Sequence, residues 1–561
     1  MNKHVFCNGN DISLSDTDYI TAGGEGSIYN HNGIIYKIYL KSISQKQEQK
    51  LKYLSVLKKD NIIAPKDVVY SKNGEPVGYT MNFVDNASSL ALLFTRTFKN
   101  RNNINVENCK SIFTNMRDTI KFIHDNNILI VDGNELNYMI DNSTFSKAYF
   151  LDVDSYQTKD FPATAIMPTI KDYCSTSFSD KTDWYSFAVL MFQLFTGIHP
   201  YKGIHPVYNY KTNQSGSKMQ IDNISERCIH KISVFNKDVK YPPTTNINDI
   251  PDTLKQWFFG IFEKGERTAP PEDISGMIKI SPDTTIVYSN TLKETLYKEY
   301  DSDIIKVLFI NGQLLVATKE RYYLDNIESV KKYKKEAPIV YTVNGSSKIL
   351  HITMKNNSII CNENEFTVPD IKNITIIKNR IFVLSDKLEE LSFNKYTNNL
   401  YVKTYWQAPV FASKFFVNCI FVDCFGSAMF YIPETKDNND VLYTTRIKEL
   451  NGHTIIDAFY ECSTLICISE YNGNYIKTVI KYNEFFSDYK IVSENCSIQE
   501  INATVLPNGM SIIIDQDKME LSAKYNTDRK QISINTDLIL THKGNKVMGY
   551  RNNKLFDITM N

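Results

Sequence analysis

The chain has 561 residues, 42% hydrophobic and 22% charged, with 63 basic side chains matched by 63 acidic ones. That length exceeds what one hydrophobic core organises and implies about two to four domains. The balanced charge leaves no electrostatic footprint for nucleic acid or an anionic membrane as partner, and the most apolar run, WYSFAVLMFQLF at 184–195, falls well short of the about 20 residues a membrane-spanning helix needs.

The first half mixes strand and helix patterns. ITAGGEGSIYNHNGIIYKIYL, residues 20–40, contains two β-type runs about a turn at NHNG. SQKQEQKLKYLSVLKK, residues 44–59, is helical, with Leu51, Leu54 and Leu57 near one face. ENCKSIFTNMRDTIKFIHDNN, residues 107–127, is helical through Ile112, Met116, Ile120 and Ile123. DWYSFAVLMFQLF, residues 183–195, is apolar all round and predicts a buried central helix. Beyond about residue 285 the rhythm changes to short β-type runs about tight turns, near Asn311, Asn344, Asn379, Asn418, Cys462, Asn508 and Gly544. A unit of about 40 residues holding several strands predicts a six- or seven-bladed β-propeller, with paired β-sandwiches as the alternative. Pro and polar residues in KISPDTTIVYSN, residues 279–290, mark the boundary. The ten cysteines form no CxxC pair and read as reduced thiols filling the cores of a cytoplasmic protein.

Several segments carry candidate chemistry. Gly23, Gly24 and Gly26 lie between β-type runs, where backbone N–H groups can approach a phosphate. Lys37 follows in the apolar strand IIYKIY, and a lysine there needs a partner. Glu48 is the single acidic residue between positions 38 and 59, so it is the locally permitted one. Asp132 and Asn137 are five residues apart in ILIVDGNELN, and YFLDVDSYQ at 149–157 delivers Asp152 and Asp154. Phosphoryl transfer needs such a set: a lysine on the phosphates, carboxylate and amide oxygens on magnesium, and a carboxylate near the attacking hydroxyl. His124, His199 and His205 have no metal-ligand spacing and read as structural.

The order of these groups along the chain resembles that of protein kinases. More narrowly, residues from about 15 to 280 resemble a group of bacterial serine/threonine protein-kinase-like proteins, through GGEGSIY, YKIY, VDGNELN, FLDVDSYQ, TDWYSFAVLMFQLFTGIHPYKG and GERTAPPEDI. The resemblance implies an α+β two-lobed protein-kinase fold, with an N-lobe at 1–85 and a C-lobe at 86–284; it does not reach the β-rich half, where the strand rhythm itself predicts an all-β, propeller-like binding domain at 285–561. It implies ATP and Mg2+ as cofactors. Gly23, Gly24 and Gly26 would cover the phosphates, Lys37 would hold them, oriented by Glu48, and Met81, Asn82 and Val84 would border the adenine. Asp132 would be the catalytic base, Asn137 and Asp152 metal ligands, and Asp183 and Arg267 structural supports.

The sequence departs from that pattern in several places. Thr21 stands for the first loop glycine, Val131 for an arginine and Asn134 for a lysine. Asp154 stands for the glycine of the magnesium motif and either faces the metal or caps the turn. No glutamate follows Pro168, so Arg267 would need Asp172 or Glu272 as its acidic partner. The expected function is an ATP/Mg-dependent kinase phosphorylating Ser or Thr, whose β domain recruits protein substrate or a signalling partner. The alternatives are a pseudokinase adaptor acting through its β domain and a kinase-fold enzyme that acts on a non-protein substrate or transfers a group other than phosphate. No nucleic-acid or membrane partner is expected.

Overall fold

The structure is a computed structural model. It describes residues 3–560 apart from 23–24, 164, 213–217, 221–222, 242–244, 246, 248–249, 275–291, 311, 326–335, 344–345, 356–357, 362–363, 368–370, 372, 386, 395–398, 408–411, 437–438, 485, 497–499, 516–517, 525–528 and 535. The boundary segment 279–290 therefore lies outside the described residues.

The chain opens with strands β1 (Lys3–Cys7), β2 (Asn10–Leu14), β3 (Tyr19–Ala22), β4 (Gly26–His31) and β5 (Ile34–Tyr39). Two of their turns are Asn-Gly pairs, Asn8-Gly9 and Asn32-Gly33, with all four residues at positive φ. That is the chemistry of a two-residue hairpin matched to strand twist. Helix α1 (Gln45–Leu54) follows, capped by Ser44, whose Oγ accepts from Gln47 N at 3.2 Å. Strands β6 (Val68–Tyr70) and β7 (Pro76–Asn82) complete a seven-stranded sheet in the order β2-β1-β6-β7-β5-β4-β3. Its close packing depends on glycine at one point: a Cβ on Gly78 of β7 would meet the Lys37 carbonyl oxygen at 2.1 Å.

Strand β8 (Ala87–Ser89) and helices α2 (Leu90–Leu93), α3 (Arg96–Asn102) and α4 (Val106–Asp125) lead to β9 (Tyr138–Asp141) and β10 (Ala148–Phe150). These three strands form a second sheet in the order β10-β9-β8. Backbone hydrogen bonds from Ile63 to Phe150 and from Phe150 to Asn61, at 2.9 and 2.8 Å, tie it to the segment after α1. Helix α5 (Asp180–Thr196) runs through the middle of the core and is buried from Thr182 to Thr196, as its all-round apolar pattern predicts. Phe113 of α4, Phe187 of α5 and Trp257 of α7 (Asp252–Phe259) meet there edge to face or tilted, with ring centroids 5.0–6.2 Å apart.

Residues 292–560 form a succession of small antiparallel sheets. Four-stranded sheets span 336–367, 373–407, 413–446, 454–495 and 502–533, and a three-stranded sheet spans 304–324. The strand Leu292–Glu299 joins the last three strands of the chain, pairing Leu292 with Met560 and Glu299 with Lys554. The first and last strands of this half therefore close on one another. The two halves also meet: Asp423 Oδ2 accepts from Tyr19 OH and Thr21 Oγ1 at 3.1 Å and from Ala22 N at 3.3 Å, and the Phe425 and Tyr19 rings are 4.5 Å apart.

The architecture corrects the expected fold class. The protein is 44% strand and 20% helix, with seven α-helices among the described residues, one half-barrel and many small antiparallel sheets. It is not the expected two-lobed, helix-rich protein-kinase fold, and the many small antiparallel sheets of the second half fit the expected six- or seven-bladed propeller only loosely. The periodic segments are helical over Gln45–Leu54, Val106–Asp125 and Asp180–Thr196; the first stops before Leu57, and these are the longest helices rather than samples of a helix-rich domain. After α5 the described α-helices are α6 (Ile224–Ile229) and α7, of six and eight residues, the latter followed by a π-helical turn at Gly260–Lys264. Gly197, Pro200, Gly203 and Pro206 interrupt the pattern between α5 and α6.

Arg267 meets Asp172 in a two-pronged pair, Nε to Oδ2 at 2.6 Å and Nη2 to Oδ1 at 2.8 Å, with Asp172 buried. Removing one partner leaves the other charge without its match. Arg267→Ala is expected to lower unfolding free energy by about 3 kcal/mol in urea denaturation, and a loss below about 1 kcal/mol would show the pair to be energetically idle.

Candidate functional site

Lys37 lies on β5, is 7% exposed, and pairs across the sheet with Tyr79 of β7. Its ammonium donates to Asp152 Oδ1 at 2.7 Å and to Asp154 at 2.9 and 2.8 Å. Tyr39, on the same face of β5 by the two-residue period, donates to Asp154 Oδ2 at 2.6 Å, and Tyr79 donates to Asp154 Oδ1 at 2.7 Å. Each oxygen of Asp154 thus receives the lysine and one tyrosine. Asp154 neither caps the turn nor stands open toward a metal; it anchors Lys37. Glu25 approaches the ammonium at 3.9 Å.

The expected Lys37–Glu48 pair does not form. Glu48 accepts from Lys52 at 2.6 Å and from Tyr70 OH at 2.8 Å. Helical phase explains this: residues two apart on a helix point to nearly opposite sides. Turning Glu48 toward β6 turns Lys50 toward the carboxylates. Burial lowers the Lys50 ammonium below its ordinary value, against the pull of Asp154, Asp152 and Glu25.

Asp152 sits two residues past the end of β10 in the left-handed region, φ 52°, and its side chain is 35% exposed. Leu151 N donates to Asn137 O at 2.9 Å, which brings the Asn137 backbone beside the residue preceding Asp152. Asn137 Nδ2 donates to Asp132 O at 2.8 Å, so its amide oxygen is the side-chain atom that could ligate a metal. Asp132 Oδ1 accepts from Met167 N at 2.8 Å. The loop holding Asp132 and Asn137 is strained: Val131 has φ 63°, a rare conformation for a β-branched residue. Asp183 over-determines it, accepting from Ile130 N at 2.8 Å, Val131 N at 3.0 Å and His124 Nε2 at 2.9 Å.

Gly23 and Gly24 lie outside the described residues. Gly26 is buried at the start of β4, where a Cβ would meet the Ile38 carbonyl oxygen at 2.5 Å. Met81 is half-buried, on the same strand face as Tyr79; Asn82 is exposed, and Val84 is half-buried beyond the strand end. Thr21 lies on β3 against Asp423. Lys37, Asp152 and Asp154 therefore come together as one cluster, the Asp132–Asn137 loop stands beside it, and Glu48 is apart. Tyr39 and Tyr79 also belong to the cluster through their bonds to Asp154, and Lys50 lies within the field of its carboxylates. Strand period marks Tyr39 and helical phase marks Lys50, whereas no local signal marks Tyr79.

The charges explain the electrostatics. Burial would lower the Lys37 ammonium, but Asp154 and Asp152 raise it well above its ordinary range, so it is charged at neutral pH. Burial pushes the Asp154 carboxyl up, and Lys37 with the two tyrosine hydroxyls more than offsets this, leaving it below the usual carboxylate range. Asp152, with weaker compensation for its burial and with Asp154 nearby, lies above that range. Burial likewise raises Asp132, partly offset by the Met167 N–H. Asp152, Asn137 and Asp132 offer hard oxygen donors, which suit magnesium rather than a soft transition metal. No helix among the described residues is long and apolar enough to cross a membrane. Comparison with protein-family models and with curated proteins finds no match to this sequence.

Asp154 has a folded value below its unfolded value of about 4. Its stabilisation is therefore complete above about pH 4 and is lost as pH falls through the depressed folded value. The stability difference between the native protein and Asp154→Asn should be constant above about pH 5 and shrink below about pH 4. Urea denaturation at stepped pH measures it, and a difference that widens on acidification would contradict the assignment.

Proposed function

We propose that the chain is an ATP- and magnesium-dependent protein kinase of the cytoplasm that transfers the γ-phosphoryl group to a serine or threonine hydroxyl, and that its β-rich half recruits the protein substrate or a signalling partner. The carrying observation is the buried Lys37 ammonium 2.7 Å from the partly exposed Asp152, beside the loop that presents Asp132 and Asn137. Lys37 and Lys50 would hold phosphate oxygens. Asp152 and the Asn137 amide oxygen would hold magnesium, which when bound would supply positive charge against the charge that develops on the transferred group. Asp132 would take the acceptor hydroxyl's proton, and Asp154 would keep Lys37 in place. The resemblance to bacterial serine/threonine protein-kinase-like proteins supports the same assignments.

A second reading, a nucleotide-binding adaptor without turnover, is favoured by Asp154 engaging Lys37 through both its oxygens. It is also favoured by the absence of Glu48 from the cluster and by Asn134 in place of a lysine. Both readings predict ATP binding; only the first predicts transfer.

The purified chain with γ-labelled ATP, magnesium and a general protein substrate should transfer label, and Lys37→Met and Asp152→Ala should each reduce it by about 100-fold or more. Thermal stabilisation by ATP and magnesium without label on protein would select the adaptor. Absence of both would refute a nucleotide site at Lys37 and Asp152.

A further inference from the structure

The β-rich half touches the candidate site at a second place, resting on the phosphotransfer reading for its meaning. The strands Thr464–Tyr471 and Asn474–Tyr482 form a hairpin whose turn, Asn472-Gly473, has φ 50° and 76°. Glu470 braces the turn, its Oε1 accepting from Gly473 N at 2.7 Å, and the Tyr471 ring stacks on His453 with centroids 4.4 Å apart. Just after the turn, Tyr475 donates to Glu135 Oε1 at 2.5 Å. Both residues are buried, at 5% and 1% exposure, and Glu135 lies within the Asp132–Asn137 loop. A Cβ placed on Gly473 would stand 3.2 Å from Pro168 Cδ and 3.9 Å from Met167 Cγ. Met167 is the residue whose N–H donates to Asp132.

Segment 167–168 is thus sandwiched between the Asp132 carboxylate and the hairpin turn. An acceptor hydroxyl that gives its proton to Asp132 must come within hydrogen-bond reach of that carboxylate, and Met167 N already occupies one of its oxygens. We propose that the 471–475 hairpin is an intramolecular latch that presses Met167 onto Asp132 and closes the site to protein acceptors until the β-rich half shifts. The β-rich half would then act in regulation as well as recruitment, since a partner that binds this hairpin would release the latch. Gly473 is suited to the latch because its positive φ and lack of a side chain let the turn lie flat on Pro168.

Gly473→Asn tests this. Asparagine tolerates the left-handed turn, so the hairpin keeps its fold while the new side chain crowds Pro168, whose Cδ would lie 3.2 Å from its Cβ and must give way by a few tenths of an ångström. Gly312→Asn, at a turn glycine of φ 80° whose Cβ would meet nothing within 4 Å, is the control, and Tyr475→Phe removes the hydrogen bond to Glu135. In the full chain, the Met167 amide of Gly473→Asn should exchange with deuterium about tenfold faster, and transfer of label from ATP to a protein acceptor should rise at least about threefold. Tyr475→Phe should move both readouts in the same direction and Gly312→Asn neither. ATP-dependent thermal stabilisation in both proteins with equal or lower transfer in Gly473→Asn overturns the latch alone and makes the hairpin part of the acceptor site. Unchanged Met167 exchange also overturns it. Lack of ATP-dependent stabilisation in native protein and variant alike refutes the nucleotide site, and the latch with it.

Discussion

A buried ammonium between two carboxylates organises this protein's first half. Lys37 cannot sit at 7% exposure without compensation. Asp152 and Asp154 supply it from the turn after β10, and Tyr39 and Tyr79 supply the hydroxyls that complete Asp154. Those five groups come from two neighbouring strands of one sheet and a turn that lies 115 residues along the chain from Lys37, and Asp154 in that turn lies 75 residues from Tyr79. The register of β5 on β7 and the left-handed Asp152 must both be right before the charges can meet. The tyrosines also make the arrangement unequal: Asp154 is saturated, while Asp152 keeps an exposed side, so the two carboxylates divide into an anchor and an available ligand.

The second dependency is the loop from Val131 to Asn137. A β-branched residue in the left-handed region costs energy that other contacts must outweigh, and Asp183 does this with two backbone N–H groups and His124. Asp183 is itself on α5, the most buried helix, so the core's packing is transmitted directly to the loop that carries Asp132. The β-rich half holds the opposite side through Tyr475 and Glu135 and grips β3 through Asp423. The candidate site is therefore bounded by both halves of the chain.

Much of the site could be recognised in the linear sequence because its chemistry is costly. A lysine within IIYKIY demands an anion, and paired aspartates after an apolar run demand a cation. The supporting role of Asp183, and Asp172 as one of two candidate partners for Arg267, came instead from what the resemblance to protein kinases implies. Which anion meets Lys37 was not legible, because local reasoning favours the nearest acid, Glu48, and the actual partners are remote. Helix phase then sent Glu48 to Tyr70 and Lys50 to the site. The fold class misled for a related reason: the longest periodic segments are helices and draw attention, while strands of three to ten residues accumulate to more than twice the helical content.

The amino-acid sequence by itself determined the local elements: Asn-Gly hairpins, the Ser44 cap, the all-apolar α5 and the change to a strand rhythm near residue 285. These depend on dihedral preference and periodicity, which act over a few residues. Only the tertiary structure decided which charges pair, that Asp154 is an anchor rather than a free ligand, and that a hairpin from the β-rich half rests beside Asp132. Those outcomes depend on strand register, helix phase and long-range packing, where a one-residue shift reverses the face a side chain presents.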